Sequence, residues 1–218
     1  MSQITLSANA SGSAIFTVAA PGTSTNQTLT LPDATTTLVG TDATQTLTNK
    51  TIQGGSLSGT SGAITQGTAV ASTSGAAIDF TGIPSWAKRI TVMFNGVSLT
   101  GGSATSYISV QLGTTSGFIA SGYLSTIQYG SASSNNATTG FLCGFPSNSG
   151  VVSGSMVIVP MGAGGVWTET NMLLVNTTTI SWGCGNVTIS GTVDRVRITV
   201  INVVDTFDAG TINIMYEG

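Results

Sequence analysis

From residue 76 onward, large apolar residues recur at every second position, and no segment carries a helical period of useful length. Ile90, Val92 and Phe94 alternate with Arg89, Thr91, Met93 and Asn95, and Ile108, Val110 and Leu112 alternate with Tyr107, Ser109 and Gln111. The same pattern runs through Val196, Ile198 and Val200, and again through Ile212, Ile214 and Tyr216. A period of two sends successive side chains to opposite faces of a pleated strand, so each such segment must bury one face. Clean alternation leaves the other face to water or a partner. Further strand candidates are 76–80, 117–124, 155–160, 166–174, 177–182 and 186–192, separated by Gly, Ser and Asn. Roughly eight to ten short strands in one domain predict an all-β, two-sheet sandwich of the jelly-roll kind. The polar stretch 130–150 is the expected exposed tip, because long loops on a rigid sandwich often carry recognition.

What covers the wet faces is unusual. Only 6% of residues are charged while 40% are apolar, against about 25% charged in an average soluble domain. Thr, Ser, Asn and Gln must supply the hydrated surface, and Thr also suits a strand. Five basic residues against eight acids give a net charge of −3. Phosphate binding needs clustered cations, so nucleic acid is not an expected partner. Membrane association by charge is unexpected for the same reason, and no apolar run approaches the length of a spanning helix. The N-terminus shows no basic segment followed by a long apolar one, which predicts no secretory leader and synthesis in a cytoplasm.

The first 70 residues read differently. Short Thr-apolar alternations such as Thr28-Leu29-Thr30-Leu31 are too sparse to enclose a core within one chain, so the segment is either disordered or shares a core between chains. The run Asp33-Ala34-Thr35-Thr36-Thr37-Leu38 returns as Asp42-Ala43-Thr44-Gln45-Thr46-Leu47, a weak repeat signal in a Thr-rich stretch. Residues 54–75 are dominated by Gly, Ser, Thr and Ala and read as a flexible or extended linker. The expected organisation is a module at 1–53, a linker at 54–75 and a sandwich at 76–218.

The stretch Leu31-Pro32-Asp33-Ala34-Thr35, Thr37-Leu38-Val39-Gly40 and Ala43-Thr44-Gln45-Thr46-Leu47-Thr48-Asn49-Lys50-Thr51-Ile52 resembles a module found near the N-termini of tailed-bacteriophage fibre and appendage proteins. Its specific part is Thr46-Leu47-Thr48-Asn49-Lys50-Thr51. A second block, Asp79-Phe80-Thr81-Gly82-Ile83-Pro84-Ser85-Trp86-Ala87-Lys88-Arg89-Ile90-Thr91-Val92-Met93-Phe94, is similar to a block of phage tail and head-fibre C-terminal domains. The ending Phe207-Asp208-Ala209-Gly210-Thr211-Ile212-Asn213-Ile214 resembles part of the same pattern. The resemblance implies a homotrimeric virion appendage, assembled in the bacterial cytoplasm and exposed on the particle. Its N-terminal segment would contact capsid or tail and baseplate proteins, with Leu29, Leu31, Leu38, Leu47, Thr48, Asn49, Lys50 and Ile52 serving anchoring and trimerisation. The sandwich would project, with a host-surface glycan as a further candidate partner. Two alternatives stand beside this: a head-fibre or capsid decoration (cement) protein, and a polysaccharide depolymerase.

The residues argue for no catalysis. The chain has no His, which removes His-dependent nucleophile systems and most zinc sites. A glycosidase needs two carboxyls across a cleft, whereas Asp79, Asp194, Asp205 and Asp208 fall at expected strand ends, where turn chemistry explains them. Asp205 with Asp208 is the one Ca²⁺ candidate. No catalytic residue, metal site or cofactor is expected. Cys143 and Cys184 read as buried free thiols, with one bridge as the alternative. Trp167, Trp182, Tyr123 and Tyr129 are the candidate glycan contacts, with Trp86 and Tyr107 in the wider aromatic set. The competing reading has these rings filling the sandwich core or an interface.

Overall fold

In the computed structural model, the residues described are Gly22 and those from Ile64 to the C-terminus, except 102–105, 131–132, 145–149, 163 and 203. The chain divides into two units, Met1–Gln53 and Gly54–Gly218. The anchoring residues Leu29, Leu31, Leu38, Leu47, Thr48, Asn49, Lys50 and Ile52 lie outside the described residues.

The second unit is all-β, with two antiparallel sheets and no helix among the described residues. Its strands are β1 (Ile64–Gln66), β2 (Val70–Ala71), β3 (Ala77–Thr81), β4 (Arg89–Leu99), β5 (Ile108–Thr114), β6 (Gly117–Phe118) and β7 (Leu124–Tyr129). They continue with β8 (Ser133–Ala137), β9 (Phe141–Cys143), β10 (Val152–Pro160), β11 (Val166–Val175), β12 (Thr179–Thr188), β13 (Arg195–Val200) and β14 (Phe207–Glu217). The large sheet runs β1-β14-β4-β10-β11-β12-β7-β8, with β2 also on β14. The small sheet runs β3-β13-β5-β6, with β9 also on β5. From β3 to β10 the chain passes repeatedly between sheets, as in a jelly roll. The meander β10-β11-β12 then stays within the large sheet.

The core forms where the period-two patterns of the two sheets meet. Ile90, Val92 and Phe94 of β4, Val110 and Leu112 of β5, Met156 and Ile158 of β10, and Val196 and Ile198 of β13 join one buried cluster. The alternation changes phase within β4, since Val97 and Leu99 also face inward. A bulge explains it. Pairing of β4 with β14 shifts around Ala209, and pairing with β10 shifts between Val152 and Gly154. Gly210 lies at φ +96, and a Cβ there would collide with the Gly96 carbonyl oxygen. Beside this bulge Ser98 Oγ donates to the Asp208 carboxylate, and the Gly96 N–H donates to Ser153 Oγ at 3.0 Å. Bulges aligned across three strands bend the sheet at one place.

Three sequence expectations need correction. Part of the expected linker is sheet: β1 and β2 pair with β14, the Gly67 N–H donates to the Ile214 carbonyl, and Ser72 is fully buried with its Oγ on the Ala209 carbonyl. Composition misleads there because the ladder uses backbone groups, and small side chains suffice to close the β14 edge. Segments 177–182 and 186–192 do not form two strands, because 179–188 is continuous. Gly183 and Gly185 look like breakers but are sites of close approach, where a Cβ would lie 2.6 Å from Asn171 Nδ2 and from the Leu124 carbonyl oxygen, respectively. The segment 130–150 is no simple exposed loop, for it contains β8 and β9, and Phe141, Leu142 and Cys143 are completely buried.

The bulge gives a direct test. Gly210→Ala forces a side chain into a left-handed conformation against backbone, and should cost on the order of 2 kcal/mol in urea unfolding. A cost near zero would show that β4 and β14 can re-register.

Candidate functional site

The aromatic residues separate into three settings. Trp167 and Tyr123 belong to the core and are not glycan contacts. Tyr123 stacks edge-on against Phe141 at 4.9 Å, and its hydroxyl accepts from the Leu112 N–H at 2.8 Å. Burial pushes its pKa up to about 12, with the Leu112 hydrogen bond opposing. Tyr129 pairs with Ser181 and packs against the core from the inner face of the large sheet. Trp86 is half-buried against Tyr216 at 5.7 Å, and Tyr107 is buried in a small cluster with Ile127 and Leu142. Of the four candidates only Trp182 is exposed, on the opposite face from the partly buried Tyr129. No four-ring platform forms. Strand parity could have separated Trp182 from Trp167, but not without knowing which face of each strand is buried.

The acids also differ from expectation. Asp79 lies within β3 and not at a turn, and its carboxylate takes both Arg197 Nε (2.7 Å) and Nη2 (2.8 Å). The Arg197 guanidinium also covers the Phe118 ring, 4.1 Å from its centroid. Asp194 is held below the usual carboxylate range by its hydrogen bond to the neighbouring Arg195. These groups form a charged patch on the outer face of the small sheet. Asp205 is buried and accepts from Ser106 Oγ and from Asn202 Nδ2 (2.7 Å), whereas Asp208 is exposed and accepts from Ser98. The two carboxylates serve separate networks, and no group of three metal-ligating acids or thiols occurs among the described residues.

Sequence reasoning missed Glu169. It sits on the inner face of β11, 2% exposed, between Trp167 and Asn171. Asn171 Nδ2 donates to both Glu169 Oε2 and the Leu142 carbonyl, each at 3.0 Å, and the Leu142 N–H donates to Ser125 Oγ at 2.9 Å. Leu142 is the middle residue of β9, so Ser125 and Asn171 satisfy the backbone groups on the β9 side that lacks a strand partner. Glu169 Oε1 and Asn171 Oδ1 have no hydrogen-bond partner. Burial pushes the Glu169 pKa up to about 7, and the Asn171 hydrogen bond only partly offsets this. Cys143 is buried nearby, its thiol pushed up by burial and then by the Glu169 charge, while Cys184 is exposed and both thiols are free. The expectation that both cysteines are buried fails for Cys184. A high thiol pKa without solvent access makes Cys143 inert.

The outer face of β10, β11, β12 and β7 is the other unusual surface. Exposed Met172 (65%), Leu174 (44%), Ile180 (48%) and Trp182 (47%) sit on it together. Met172 pairs directly with Trp182, and Leu174 with Ile180. Two shallow depressions flank them. One, of about 320 Å³, is lined by Thr126, Asn136, Cys184 and Asn186 among others, and the second, of about 240 Å³, by Ser155, Val157, Thr170 and Met172.

No protein-family model matches the chain, and neither a curated protein nor a solved structure matches it.

Glu169 makes stability depend on pH. Its folded pKa lies above the ordinary 4.5, so the native state holds a proton that the unfolded state has released. The resulting stability is complete below pH 4.5, declines as pH rises, and is gone above about 7, a loss on the order of 3 kcal/mol. Urea midpoints should fall between pH 5 and pH 8, and Glu169→Gln should flatten that change. An unchanged slope in the variant would remove Glu169 as the cause.

Proposed function

We propose that this chain is a non-enzymatic structural protein of a tailed-phage virion, a homotrimeric appendage held by its N-terminal segment and projecting the β-sandwich. The observation that carries the reading is the Thr46-Leu47-Thr48-Asn49-Lys50-Thr51 module joined to a sandwich that begins and ends with fibre-like blocks. The sandwich is consistent with passive work. Its buried carboxyl accepts from Asn171, its exposed acids are engaged by Arg or Ser, and its depressions are shallow and open. Sparse apolar residues in the first 53 positions suit a core assembled from several copies, and closed rotational symmetry ends that assembly at a defined number.

A head-fibre or capsid decoration protein is the second reading. In either case the partners are copies of the chain and other virion proteins, with a host-surface glycan as a candidate ligand of the exposed sandwich.

Light scattering on the full-length protein should give a mass near three times 21.8 kDa, and antibody raised against it should decorate phage particles. A single-chain mass would contradict the trimeric appendage. Incubation with host-surface polysaccharide should release no oligosaccharide, whereas release would favour a depolymerase.

A further inference from the structure

The outward positions of four adjacent strands share one property. They are the alternate residues at 153–159 in β10, 168–174 in β11, 180–188 in β12 and 124–128 in β7, and none of them is Asp, Glu, Lys or Arg. Sheet register assembles them into rows. One row runs Gln128–Trp182–Met172–Ser155, and the next runs Ile180–Leu174–Ser153. Trp182, Met172, Ile180 and Leu174 are therefore neighbours, while Leu124 stands apart opposite Asn186. The outer face of the small sheet differs, carrying Asp79 with Arg197 and Asp194 with Arg195. The third ion pair, Arg89 with Glu217, lies on β4 and β14 of the large sheet, outside these four strands.

We infer that this bare face is a subunit interface and that its occupant is another copy of this chain. The inference rests on the homo-oligomeric reading above and assigns the surface that it uses. Three features favour a copy over a different partner. A face without charge offers nothing to a charged partner and repels nothing in itself. It also carries projections and depressions side by side: Trp182, Met172 and Ile180 project next to the hollow at Cys184 and the hollow at Ser155 and Thr170. A surface that holds both knobs and holes can receive its own image under rotation, as symmetric assembly requires. Size is the third feature. Four strands about 4.8 Å apart, three of them about 30–34 Å long and β7 about 20 Å, give a footprint of roughly 570 Å² before side-chain relief is counted. Stable interfaces bury about 800 Å² per partner. The aliphatic side chains of Met172, Leu174 and Ile180 also suit a protein surface better than a sugar, which would need polar partners around Trp182.

The test compares full-length wild type with Trp182→Arg and Met172→Glu, using light scattering for mass and circular dichroism for fold. Thr81→Glu, on an exposed position of the small sheet, serves as the surface control. The wild type should be a multimer, Trp182→Arg and Met172→Glu should reduce its mass toward one chain with the β spectrum retained, and Thr81→Glu should leave the mass unchanged. A wild-type multimer that both face variants preserve would overturn this interface while leaving the oligomeric reading intact. Equal dissociation by Thr81→Glu would also overturn it, because the effect would then not belong to this face. A monomeric wild type would overturn the interface and the homo-oligomer together.

Discussion

The sandwich depends on how a short strand is held inside it. β9 has only three residues and pairs with β5 on one side. Its other side faces the large sheet, where bare Leu142 N–H and carbonyl groups would each cost about 1–3 kcal/mol if left without partners. Ser125 and Asn171 reach across and satisfy them, so side chains replace a missing strand. Much follows from that arrangement. Gly183 must lack a Cβ to make room for Asn171, and Gly185 to pass close to β7 and Phe141. Phe141, Leu142 and Cys143 are thereby carried into the interior, and a polar Asn171 is fixed on the inner face of β11. Glu169 stands beside it, which explains why a carboxyl is tolerated there and why it favours the neutral form at acid pH.

The large sheet shows the same economy at its other end. β14 would present an open edge, and β1 and β2 close part of it with backbone hydrogen bonds from a segment nearly devoid of large side chains. An unguarded edge strand invites pairing with other chains. Closing it removes that route at the β14 end of the sheet. The outer face of the small sheet carries Arg-carboxylate pairs around Phe118, whereas that of β10, β11, β12 and β7 is free of charge, with the Arg89–Glu217 pair set apart on β4 and β14.

The all-β class, the two sheets and the long strands β4, β5, β13 and β14 were legible because large inward residues alternate over most of each strand, away from the bulge. Legibility failed where backbone or a single polar contact decides the outcome. β1 and β2 carry no hydrophobic signal because their energy comes from the ladder on β14. The continuity of β12 was hidden because Gly183 and Gly185 are there for close approach, which sequence alone cannot tell from a turn. Glu169 was invisible as a buried group because Thr168-Glu169-Thr170 looks like an ordinary wet strand, and parity could be assigned only once Trp167 and Leu173 were seen to face inward. The aromatic set failed as a site for the same reason: composition collects Trp167, Trp182, Tyr123 and Tyr129, but the fold sends them to different places.

Cys184 sits at the centre of the charge-free face, and Cys143 is inaccessible in the core. The most direct measurement is therefore mass spectrometry of thiol labelling on the native full-length protein, at a concentration where it is assembled. If copies of the chain cover this face, Cys184 should label slowly when assembled and quickly on dilution to single chains, while Cys143 reacts only after unfolding. Rapid labelling of Cys184 in the assembled protein would contradict the claim that this face is where the copies meet.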